Sequence, residues 1–156
     1  MDINKILKLR QFKALDLDVQ NEEALIYGEL INTDKHCPSC GKEAIKPHQY
    51  HKKKVRTAPF NSMPTYLIFT HTAFLCPHCN RRFLEKIDFL EKDQRKTVNY
   101  FQHVYQLAKK QDLSRVAEIE GLEWDTVNAI FLKGRKEEKI AFKSRPRKQT
   151  KNPKFR

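Results

Sequence analysis

Four cysteines, the only ones in the chain, fall into two C-x-x-C pairs: Cys37 and Cys40 in Cys-Pro-Ser-Cys-Gly, Cys76 and Cys79 in Cys-Pro-His-Cys-Asn. Thirty-five residues separate the pairs. A divalent ion that prefers a tetrahedron of thiolates needs ligands from two tight turns, and each C-x-x-C turn supplies two. Gly41 and Asn80 follow the second cysteine of each pair. Those residue types most easily enter the left-handed conformation, which folds the chain back so that backbone N–H groups point at the sulfurs. The expectation is one structural Zn2+ held by Cys37, Cys40, Cys76 and Cys79, a zinc ribbon. The shell is complete, with no open position for a catalytic water. Two disulfides would suit a small secreted domain, but no signal peptide opens the chain and intracellular thiols stay reduced. A thioredoxin-like redox pair needs one C-x-x-C near a βαβ pattern, and none is visible. His36 and His78 adjoin the ligands and read as spectators. His48, His51 and His71 read as polar surface rather than as a second metal site.

The elements that must carry the two turns are strands. Leu15, Leu17 and Val19 alternate with Asp16 and Asp18, Asn21 and Glu22 offer a turn, and Ala24 to Ile31 reads as the returning strand. Residues 1–13 read as a short helix or a loose lead-in. Between the cysteine pairs, Lys46 to Arg56 is basic and dotted with histidine, and Met63 to Leu75 is the longest β-rich stretch. Pro59 and Pro64 flank its start, as at strand edges and turns. The insert is therefore expected to be two or more strands.

After Arg81-Arg82-Phe83-Leu84 the periodicity changes to that of helices. Val98, Phe101, Tyr105 and Ala108, with Val104 beside them, predict an amphipathic helix over about Lys96 to Lys109. Leu113 to Leu132 predicts a helix from Ser114, a turn at Gly121 and a second helix from about Glu123. Val127 and Ile130 would face Val116 and Ile119, the pattern of a helix-turn-helix whose second helix enters the DNA major groove. On that helix Trp124, Asp125, Asn128, Ala129 and Lys133 would point outward. Asn128 suits the edge of an adenine and Lys133 a phosphate, while Glu123 and Asp125 read as helix caps.

Charge supports a polyanionic partner. The chain carries a formal +12, and residues 133–156 hold eleven Lys/Arg against Glu137 and Glu138, net +9, which leaves +3 for the preceding 132 residues. Arg135 and Lys136 begin this cationic stretch, and Lys52, Lys53 and Lys54 form a second basic run with a reach for phosphates. No apolar run approaches the ~18 residues of a membrane span. The fold class expected is α+β: a β-hairpin plus zinc ribbon on a small antiparallel sheet (1–92), a helix-turn-helix (93–134), and a basic, flexible tail (135–156).

The combination resembles the N-terminal region of a group of bacterial insertion-sequence transposases. There, a zinc ribbon of form C-P-x-C-G … C-P-x-C precedes a helix-turn-helix and then an RNase-H-like catalytic domain. The matching residues are Cys37-Pro38-Ser39-Cys40-Gly41, the Lys54 to Phe60 segment, Cys76-Pro77-His78-Cys79 with Arg81, Arg82 and Phe83, and Leu122 to Val127. The resemblance covers about residues 10–134 and implies a grip on the terminal inverted repeats of a mobile element. It also implies double-stranded DNA as partner, a homodimer or a full-length transposase as protein partner, and a place in the bacterial cytoplasm at the nucleoid. The DDE-type acidic triad of such transposases has no counterpart here, so no catalytic residue is expected. A stand-alone transcriptional regulator and an RNA-binding zinc-ribbon protein are the other classes open to these modules.

Overall fold

The computed structural model describes residues 2–91 and 95–145. Its contacts divide the chain into two units, Met1–His103 and Val104–Arg156. The division falls inside a helix, not at residue 92.

The first unit opens with a short helix α1 (Ile3–Leu7) and is built on strands β1 (Phe12–Gln20), β2 (Glu23–Leu30), β3 (Pro47–Phe60), β4 (Met63–Leu75) and β5 (Arg82–Leu84). Their order is β1-β2-β4-β3, with β5 paired to β4. Two tight hairpins make most of it. Asn21 and Glu22 (φ 50° and 63°) join β1 to β2, and Asn61 and Ser62 (φ 49° and 61°) join β3 to β4. Two successive positive φ angles match the right-handed twist of the flanking strands, and asparagine tolerates them best.

The expected antiparallel sheet is in fact mixed. β2 and β4 run parallel, Ala24 opposite Thr65 and Tyr27 opposite Ile68. The reason is geometric: each is the second strand of its hairpin, and the register puts both turns at the same end of the sheet. One face is apolar. Phe12, Ile26, Val55, Leu67 and Phe69 pack with Phe89, and Ile3 and Leu7 of α1 close over them. Phe12, Phe69 and Phe89 meet edge-to-face, with centroids 6.0 to 6.2 Å apart, the arrangement aromatic quadrupoles favour.

The even alternation read for Leu15, Leu17 and Val19 breaks at a bulge between Ala14 and Asp16. An extra residue there turns Leu15 to solvent, while Ala14 and Leu17 reach the core.

Helix α2 (Val98–Lys110) starts in the first unit and ends in the second. Its buried stripe is Tyr100, Val104 and Ala108, with Tyr105 beside it, not the Val98–Phe101 line read from the sequence. Tyr100 is claimed by the first unit, where the Arg56 guanidinium lies 4.7 Å from its ring centroid. The second unit continues with α3 (Leu113–Glu120) and α4 (Trp124–Ser144). α4 extends ten residues past Gly134, through the first part of the stretch read as a flexible tail; residues 146–156 lie outside the described residues. Among the described residues, no helix is long and apolar enough to cross a membrane.

Gly134 lies inside α4, where it serves packing. A Cβ built there would sit 2.4 Å from Cδ2 of the buried Tyr105 ring. In an open helix Gly→Ala stabilises by about 1 kcal/mol. Here the overlap reverses the sign, and Gly134→Ala should cost about 1–3 kcal/mol by overpacking. Thermal melting of zinc-loaded protein, followed by circular dichroism, checks this; a higher melting temperature would contradict the packing.

Candidate metal centre and helix-turn-helix

The two cysteine turns are built alike. In the first, Cys37 N–H donates to the Lys42 carbonyl (2.9 Å) and Gly41 N–H to the Cys37 carbonyl (2.8 Å). In the second, Cys76 N–H donates to the Arg81 carbonyl (2.9 Å) and Asn80 N–H to the Cys76 carbonyl (2.9 Å). Gly41 (φ 73°) and Asn80 (φ 59°) supply the left-handed residue of each. β4 runs directly into Cys76, while bridges from Asp34 to Lys86 and from His36 to Glu43 place the first turn. Arg81 also donates across to the Ser39 hydroxyl at 3.2 Å.

These turns bring four sulfurs together. Cys37 and Cys79 stand 3.4 Å apart, Cys40 and Cys76 likewise 3.4 Å, and all four lie within 4.8 Å of one another. A tetrahedron with ~2.3 Å Zn–S bonds has edges of ~3.8 Å, so the set fits one structural zinc. Neither neighbouring histidine joins it. His36 bonds the Asp34 carboxylate through Nδ1 at 2.6 Å, and His78 faces the Lys42 ammonium at 3.4 Å.

The electrostatics call for a cation. N–H groups of Cys40 and Ser39, opposed by burial, hold the Cys37 thiol down to about 6. Those of Cys79 and His78 lower Cys76 in the same way. At Cys79 the Arg81 N–H pulls down, but the Cys37 sulfur, burial and the remaining sulfurs push the thiol up to about 11. At Cys40 the Lys42 N–H is likewise outweighed, chiefly by the Cys76 sulfur and burial. Protons alone thus leave a Cys37 thiolate beside the Cys40 and Cys79 thiols. A divalent metal lets all four ionise.

A second buried contact holds the ribbon to the sheet, and the sequence did not announce it. His71, read as polar surface, is only 1% exposed. Its Nε2 lies 2.9 Å from the Glu85 carbonyl, which can only accept, so Nε2 carries the proton. The Glu85 carboxylate accepts from the Thr33 hydroxyl (2.5 Å) and the Thr72 N–H (3.0 Å). That pins the approach to the first cysteine turn against the strand that enters the second. An isolated histidine and a glutamate 14 residues apart carry no periodic signal.

In the second unit α3 packs on α4 across the three-residue turn Gly121-Leu122-Glu123. The turn is closed by Leu122 N–H to the Ala117 carbonyl (2.9 Å) and Gly121 N–H to the Glu118 carbonyl (3.4 Å), with Gly121 at φ 63°. This paired closure is the Schellman motif. Val116, Ala117, Val127 and Ile130 are buried. Ile119, expected in that seam, is 54% exposed: the buried arc of α3 runs through Val116, Ala117 and Glu120, and Ile119 lies to one side of it. Glu123 occupies the N-cap of α4 without a side-chain cap bond.

The predicted contact residues separate by element. Trp124 opens α4 half-exposed, Asn128 is partly buried beside Val127, and Lys133, Arg135 and Lys136 are exposed further along. Lys52, Lys53 and Lys54 belong to β3 in the first unit, and the pleat splits them. Lys53 lies opposite Phe69 of the core face, while Lys52 and Lys54 project from the other. Lys54 is engaged, 3.7 Å from the Glu23 carboxylate and 4.4 Å from the Tyr66 ring centroid.

Comparison with known families agrees with both geometries. Residues 34–79 match the zinc-finger of transposase IS204/IS1001/IS1096/IS1165, and residues 85–134 match the helix-turn-helix domain of transposase family ISL3. Neither the curated proteins nor the solved structures compared gave a match.

The thiols set the metal chemistry. At pH 7 Cys79, and Cys40 whose thiol is also raised, keep their protons until zinc displaces them. Zinc binding should therefore release at least the Cys40 and Cys79 protons and weaken as pH falls, as read by calorimetry in buffers of different ionisation enthalpy. Cys76→Ser should lose the zinc and the ordered structure of the ribbon together. One zinc per chain retained in that variant would refute the ligand set.

Proposed function

We propose, from the premise that this chain carries the zinc ribbon and helix-turn-helix found in ISL3-type transposases, that it is the DNA-gripping module of a transposition system and recognises the terminal inverted repeats of a mobile element. The observation that carries the reading is the second helix of the pair. α4 buries Val127 and Ile130 against α3 and turns an exposed, increasingly cationic face outward. Such a helix fits the major groove, about 12 Å wide.

In this reading Asn128 pairs with an adenine edge, and Lys133, Arg135 and Lys136 meet phosphates flanking it. Trp124, at the first position of α4, wedges against the sugar-phosphate backbone. Lys52 and Lys54 on the open face of β3 offer a separate phosphate contact, and Lys53 supports the sheet. Phosphate contacts set register and affinity, whereas base-edge contacts choose the sequence.

Among the described residues, the only group of three or more Cys, His, Asp or Glu side chains close enough to share a metal is the cysteine tetrad. The carboxylates that hold catalytic metals in strand transfer would come from another segment or another chain, with a full-length transposase or a second copy as the natural partner. The working place of such a module is the bacterial nucleoid, in the cytoplasm.

Selection from a random duplex library, followed by footprinting on the recovered sequence, tests the reading. Recovery of sites lying at the ends of a mobile element supports it. Sites lying in promoters would make the protein a regulator, and tighter binding of structured RNA than of any duplex would make it an RNA-binding ribbon. Asn128→Ala should cost about 1–3 kcal/mol at one base position. Arg135→Ala and Lys136→Ala should weaken all sequences alike and lower the salt slope by about one each. A uniform loss in Asn128→Ala would assign that residue to the backbone instead.

A further inference from the structure

One feature of α4 is unexplained by packing or by phosphate binding. Asp125, Ala129, Leu132 and Lys136 are all exposed and follow one another at helical spacing along the side away from Val127 and Ile130. Leu132, in the middle of this stripe, has 56% of its surface open. At ~1.5 Å per residue, Ala129 and Leu132 are ~4.5 Å apart along the axis, little more than one ~3.4 Å base-pair step. The same helix adds Lys133, Arg135, Lys139 and Lys143 against Asp125, Glu137 and Glu138, so the C-terminal side of this apolar pair is net cationic and suits a polyanion.

Resting on the DNA-binding reading above, we infer that Ala129 and Leu132 are specificity-determining residues that read the C5-methyl groups of thymine in the major groove. The methyl of thymine is the one apolar group that a base pair presents there. An apolar pair at the centre of a groove-facing, cation-flanked helix has that methyl as its complement. A partner protein for Leu132 would gain little from the cations around it, whereas a duplex uses both. The recognised site therefore contains thymine on consecutive or next-nearest base pairs under the middle of α4, beside the adenine assigned to Asn128.

The test uses the zinc-loaded full chain and the duplex recovered by selection, with each thymine replaced in turn by deoxyuridine, which lacks only the methyl. Replacement at one or two positions should weaken binding about three- to fivefold, the worth of one buried methyl. Leu132→Ala should bind the thymine and deoxyuridine forms equally at one of those positions while keeping its salt slope. Ala129→Ser should do so at the other. Both residues are exposed, so circular dichroism and zinc content should stay unchanged. Equal binding of thymine and deoxyuridine duplexes by the unmodified chain overturns the inference alone, and a chain that binds no duplex overturns it together with the reading beneath it. Leu132→Ala that keeps the methyl preference but shifts the oligomeric state of the free protein would assign Leu132 to self-association, and the inference falls.

Discussion

The attraction between four crowded thiolates and one divalent cation is the interaction on which the first unit depends. Two turns distant in sequence must meet, and the chain between them is a single long hairpin. Antiparallel pairing of β3 with β4 carries Pro47 back opposite Phe74, so that both ends of the insert arrive near the cysteines. The hairpin delivers the ligands and the metal locks the hairpin. The sheet supports the hairpin, with β4 also paired to β2 and β5, but four sulfurs within 4.8 Å repel one another once ionised, so the cysteine end needs the cation. The His71–Glu85–Thr33 contacts add a protein-only brace to the same closure. The aromatic trio of Phe12, Phe69 and Phe89 then has a fixed sheet face to pack on.

What could be read from the sequence was the chemistry that needs few residue types at fixed spacing. The cysteine pairs, their left-handed followers Gly41 and Asn80, the Asn21-Glu22 turn and the helix break at Gly121 are local signals, and the structure places each as expected. What escaped depends on the third dimension. Alternation of apolar residues carries no direction, so the parallel pairing of β2 with β4 was invisible. A bulge is one extra residue, and it exchanged Leu15 for Ala14 on the core face without changing the composition. Three consecutive lysines look like one patch in a list of letters, yet the pleat sends Lys53 one way and Lys52 and Lys54 the other. The stretch from residue 135 reads as a tail because its charges show no apolar stripe, whereas α4 continues through Gly134, where the Tyr105 ring needs the space a side chain would take.

In the second unit the arrangement of charge separates affinity from choice. Asp125 stands in the first turn of α4 and Lys143 in the last, the placement that the helix dipole favours at both ends. The same placement keeps Asp125 at the N-terminal end and gathers most of the cations toward the other, among Glu137 and Glu138, so that in the proposed DNA-binding reading the pull of a polyanion grows along the helix away from Asn128. Lysines and arginines attract any duplex equally, and their contribution fades with salt. In the proposed reading, sequence choice comes from the short, weakly charged stretch between the two ends. There Asn128 offers an amide, and Ala129 and Leu132 offer apolar surface. Under the proposed DNA-binding reading this division favours selectivity, because the ratio of specific to non-specific affinity, rather than affinity itself, decides where a DNA-binding module rests.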